Sequence, residues 1–93
     1  MNTLELLTRF AESQPKINAV YSGCSPEDEN HKIYYFIIPP PYDFELSDKI
    51  TDLDIRIANE TNEECDLLEW PIPLEEVSNY SFLEECIWKR DLV

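Results

Sequence analysis

A chain of 93 residues with 43% hydrophobic and 12% aromatic side chains can build one packed core and not two, since a domain of this size hides roughly 60 to 65% of the surface its unfolded chain exposes. Twenty acidic residues against seven basic ones give a formal charge of −13, which repels phosphate backbones and anionic bilayers and argues against direct nucleic-acid or membrane binding. Such charge keeps a small protein soluble, and it also suits a basic protein partner, whose encounter it would speed.

Leu4, Leu7 and Phe10 with Ala11 recur at helical spacing behind a capping box formed by Asn2 and Glu5, so a short helix opens the chain and Pro15 ends it. From Lys16 the pattern alternates, with Ile17, Ala19 and Tyr21 on one face and Asn18, Val20 and Ser22 on the other, which predicts a strand broken by Gly23. Ser25-Pro26-Glu27-Asp28 has the cap, the proline and the first-turn acids of a single helical turn. Ile33 to Ile38 is apolar on both faces and predicts the strand at the centre of the sheet.

Pro39 to Pro41 cannot extend a ladder and lead the chain out of the sheet. Leu46, Ile50, Leu53 and Ile57 then recur at four, three and four, with Glu45–Lys49 and Asp52–Arg56 as (i, i+4) pairs, predicting the longest helix. Cys65 to Trp70 reads as a third strand closed by Pro71 and Pro73. Ser81 and Glu84 form a second capping box before Phe82, Leu83, Cys86 and Ile87, so a last helix is expected there, with Lys89 and Arg90 at its C-terminus.

The expected order is helix, strand, short helical turn, strand, helix, strand, helix. That is an α+β (α/β-like) layer fold with a small mixed three-stranded sheet, strand 33–38 central, in a single domain spanning 1–93. The first two strands should pair antiparallel and the second and third parallel, across the long helix.

Few residues suggest chemistry. Cys24, Cys65 and Cys86 are odd in number and widely spaced, unlike a disulfide framework or a zinc site, and read as small apolar fillers. His31, the one histidine, reads as a surface group whose proton affinity nearby carboxylates raise. Glu27, Asp28 and Glu29 lack the spacing of a calcium loop, and Asp48, Asp52 and Asp54 read as the solvated side of the long helix. A single glycine rules out glycine-rich phosphate loops, and Trp70 and Trp88 read as core or half-buried caps. The first residues lack a secretion signal and the run from Ile33 to Pro41 is too short to span a bilayer, so the expectation is a cytoplasmic protein without a cofactor.

The stretch Ala19-Val20-Tyr21-Ser22-Gly23-Cys24-Ser25, the strand from Lys32 to Ile38, the helix Leu46 to Ile57 and the strand Cys65 to Trp70 resemble, in order, the minimal nucleotidyltransferase fold of polymerase-β-like proteins. That resemblance implies a cleft at Gly23, Ser25, Lys32, Tyr34 and Asp66. Lys32 and Tyr34 stand where the family carries metal-binding aspartates, and Asp66 alone matches its third carboxylate. Magnesium-assisted phosphoryl transfer needs two or three such carboxylates. The resemblance therefore implies a degenerate, non-catalytic relative working through protein contacts, regulatory or antitoxin-like.

The alternatives are an acidic immunity or inhibitor protein that masks a basic surface, and a surviving nucleotidyltransferase. For the first, Asp43, Glu45, Asp48, Asp52, Glu75 and Glu76, with an exposed Trp88, make up the candidate interaction face.

Overall fold

Asn2 stands extended ahead of α1 (Thr3–Ser13), and its side-chain oxygen accepts a 2.8 Å hydrogen bond from the Glu5 N–H, as the cap spacing predicts. The structure, a computed structural model, describes residues 2–25, 27–28 and 30–91. Thr3, Leu6, Leu7 and Ala11 turn inward while Leu4 is exposed. The chain then turns, with the Ile17 N–H donating to the Gln14 carbonyl, into β1 (Ala19–Cys24).

β1 starts later than the alternation predicts because Ile17 still belongs to that turn and packs with the helices. Gly23 lies inside the strand, not at its break. The loop that follows is a succession of turns, closed by the Asp28 N–H on Ser25 and the His31 N–H on Asp28. No helix is seen among its described residues; Pro26 and Glu29, part of the expected turn and acidic cluster, lie outside them.

β2 (Lys32–Ile38) and β3 (Cys65–Pro71) flank α2 (Phe44–Thr61) in sequence and pair parallel, while β1 and β2 pair antiparallel. Asp43 caps α2 through the Leu46 N–H at 3.1 Å, and Asn62 ends it with φ 58, a left-handed position that asparagine tolerates. The ion pair on α2 joins Arg56 to Glu60 at 2.7 Å. The expected pairs Glu45–Lys49 and Asp52–Arg56 do not form.

Among the described residues the sheet has four strands, not three, in the order β3-β2-β1-β4. The segment expected to close the chain as a helix runs instead as β4 (Glu85–Lys89), antiparallel to β1, and a six-residue 3-10 helix (Leu74–Asn79) precedes it. An apolar stripe this short gains little as an isolated helix, whereas the open edge of β1 offers a ladder. A bulge opposite Val20 and Tyr21 lets the consecutive Ile87 and Trp88 both pack toward the helices, which imitates helical spacing in the sequence.

Alternation along the strands sends Val20, Tyr34, Phe36 and Ile38 to the face covered by α1 and α2, and Ala19, Tyr35 and Ile37 to the other. That second face is covered by Ile72, Val77 and Leu83 with the rings of Trp70, Tyr80 and Phe82. β2 is thus buried on both sides from Tyr34 to Ile38. Arg90 follows β4 and donates to the carbonyls of Ala11, Gln14 and Ile17 at 2.8, 2.9 and 3.0 Å. It completes the C-terminus of α1, a cation at a helix end as its position suggested, but at a different helix.

Candidate functional site

β2 carries Lys32 and Tyr34 to the helix-covered face, where they line a cavity of about 400 Å³ with Ser22 and with Asn2, Thr3 and Leu4 at the start of α1. Glu63, Glu85 and Ile87 complete it. Ser22 and Tyr34 face each other across β1 and β2 and are 2% and 7% exposed. Burial raises the Tyr34 phenol, and Glu63 and Glu85 add to the effect after Cys65. Neither hydroxyl makes a hydrogen bond within the described protein, and Lys32 makes no ion pair there.

The other expected cleft residues are not brought to this place. Asp66 is paired in register with Ile33, one position out of phase with Lys32 and Tyr34, so it projects to the opposite face. There its Oδ2 meets His31 Nε2 at 2.8 Å, and that bond is the main reason the imidazole is raised above its ordinary value. Gly23 lies under the Phe82 backbone, where an added Cβ would collide with the carbonyl oxygen. Ser25 closes the loop before β2: its N–H donates to the His31 carbonyl and its Oγ accepts from the Glu27 N–H.

A second group of charges gathers where α2 begins. Lys16 holds Asp43 at 2.7 Å, and this bond, with the Leu46 N–H, lowers the Asp43 carboxyl. The Asp43 N–H donates to Glu69 Oε2 at 2.6 Å, while Glu69 Oε1 is buried without a partner and burial raises that carboxyl. Farther along, burial pushes the Cys65 thiol up to about 11 and raises Asp54 beside it. A thiol so placed stays protonated at neutral pH and is a poor nucleophile. Cys86 is exposed and not a core filler.

The six acids of the expected interaction face are divided. Asp43 is the α2 cap, Glu45, Asp48 and Asp52 are exposed along α2, and Glu75 and Glu76 lie on the 3-10 helix that covers the other side of the sheet. Trp88 is half-buried against the helix-side core, with the Arg90 guanidinium 5.0 Å from its ring centre. Phe44 was missed by this reading. It is 79% exposed and meets Tyr42 edge to face at 5.0 Å. Its signal lay in the spacing: it sits two residues before Leu46, off the stripe Leu46, Ile50, Leu53 and Ile57, as does Ile55, 57% exposed.

Among the described residues, no group of three or more His, Cys, Asp or Glu is placed to hold a metal ion, and no helix is long and apolar enough to cross a membrane. No protein-family model matches the chain, and no curated protein is significantly similar to it.

Proposed function

We propose that the protein works by contact with a basic protein, through the outer face of α2 and the aromatic pair at its start. Phe44 carries the proposal: burying a phenylalanine side chain is worth roughly 1.5 to 3 kcal/mol, and here one stands 79% in water against Tyr42. Ile55 lies three helical turns along the same face. From Glu45 to Glu60 the helix carries five acids against two bases, and one of those bases, Arg56, is bound to Glu60. An apolar anchor rimmed by one sign of charge fits a partner of the opposite sign.

The nucleotidyltransferase-like resemblance is part of this proposal. The antiparallel β1–β2 pair and the β2-α2-β3 unit are the features that support it. Lys32 and Tyr34 on the inward side of β2 favour the non-catalytic form.

The test is affinity capture with the tagged protein and its Phe44→Ser variant, whose melting temperatures should agree. A basic protein held at low salt should be lost both with the variant and at about 0.5 M salt, where the Debye length is only a few ångströms. Equal capture by both forms would overturn the assignment to α2.

A further inference from the structure

The cavity between α1, the sheet and the end of α2 is not used by that contact surface, and it is furnished for a ligand of its own. Its floor is the cross-strand pair Ser22 and Tyr34, both more than nine-tenths buried, whose hydroxyls have no hydrogen-bond partner among the described residues. The rest of each residue is covered while the hydroxyl opens to the solvent of the cavity, so both are free to bond a ligand seated there. The Thr3 hydroxyl, at the same rim, is by contrast occupied by Thr61 at 3.4 Å.

Charge selects the ligand class. Lys32 brings one cation that forms no ion pair among the described residues, and it lines the cavity together with the start of α1, where the helix dipole favours negative charge. Glu63 and Glu85 bring two anions, from the turn after α2 and from β4. A phosphate-bearing ligand would meet those carboxylates and the −13 field of the chain. A polyamine would meet Lys32. A molecule with one carboxylate and one ammonium satisfies both ends, and Leu4 and Ile87 offer an apolar wall to whatever lies between.

We infer that this cavity binds a small zwitterion of the free amino-acid class, its carboxylate on Lys32 and the start of α1, its ammonium between Glu63 and Glu85, with Ser22 and Tyr34 donating to it from the floor. The volume, about 400 Å³, is at the small end of the range for ligand pockets and admits one such molecule.

The test is a titration of the isotopically labelled full chain, followed by amide NMR shifts, with the twenty free amino acids singly and with inorganic phosphate and spermidine for comparison. At least one amino acid should give saturable shifts centred on residues 2–4, 22, 32–34, 63 and 85–87. Tyr34→Phe keeps the ring and removes the hydroxyl, and Lys32→Met removes the cation at an exposed position. Each should weaken binding about fivefold to tenfold, the loss of one hydrogen bond or ion pair. Saturation of this site by phosphate or spermidine in preference to every amino acid would overturn the inference. So would an absence of saturable shifts, or affinity unchanged in both variants. Because neither residue lies on α2, these outcomes are read independently of the basic-partner capture.

Discussion

The two faces of the sheet are covered by different means. On one, α1 and α2 lay aliphatic stripes over Val20, Phe36 and Ile38, and the large residues there, Leu7, Phe36 and Ile57, are fully buried. On the other, no α-helix is present among the described residues. A connecting segment with one short 3-10 helix brings Trp70, Tyr80 and Phe82 together over Tyr35, with ring centres 5.2 to 5.8 Å apart. Helices cover a sheet with side chains held by a repeating ladder of hydrogen bonds. A loop must use bulk, and rings supply most area for few ordered residues. The aromatic face should therefore be the weaker one.

One aromatic ring from each face allows the most severe test. Phe36→Ala, on the helix side and fully buried against Phe10, should cost about 3 to 5 kcal/mol, whereas Phe82→Ala, half-buried on the other side, should cost no more than about 2 kcal/mol. Equal losses in urea unfolding would break the comparison. Gly23→Ala comes next: its Cβ meets the Phe82 carbonyl, and shifting that backbone should cost about 1 to 3 kcal/mol, with loss of near-ultraviolet dichroism from the aromatic face.

Arg90→Lys should lose about 1 to 2 kcal/mol, since an ammonium cannot reproduce a fork shared by three carbonyls. Smaller still are the carboxylates that β3 sends to each face. Glu69 is raised by burial, so its protonation favours the folded state, and stability falls as pH rises through its folded value. Glu69→Gln keeps an acceptor for the Asp43 N–H and should gain about 1 kcal/mol at pH 7 by removing a buried charge. Urea midpoints across pH 4 to 8 would show it.

On the other face, His31 is raised chiefly by Asp66. Its contribution is complete below the ordinary imidazole value and is lost as pH rises through the folded one. Asp66→Asn should return the NMR titration of His31 toward about 6.5.

Much of the helix-covered face was legible in the chain. The stripe Leu46, Ile50, Leu53 and Ile57 is wholly buried, β2 is buried on both sides, and the antiparallel and parallel pairings follow from loop lengths. The aromatic face was not. Phe82, Leu83, Cys86 and Ile87 carry a helical period, but the β1 edge takes up the second half of that segment, and long-range pairing overrides local spacing. Part of the site was lost to register. The resemblance implied one cleft for Lys32, Tyr34 and Asp66; the first two share a face of β2, but the parallel pairing of Ile33 with Asp66 turns that carboxylate the other way. Phe44 was passed over because it follows a cap and belongs to no stripe.

The Arg90 fork joins residues 79 positions apart in the sequence. Until β4 is in place, the three carbonyls lack their shared cation and one edge of β1 stays open. The seam closes only when β4 returns to β1, so α1 is among the last elements to be secured, and refolding should be paced by that long return rather than by helix formation.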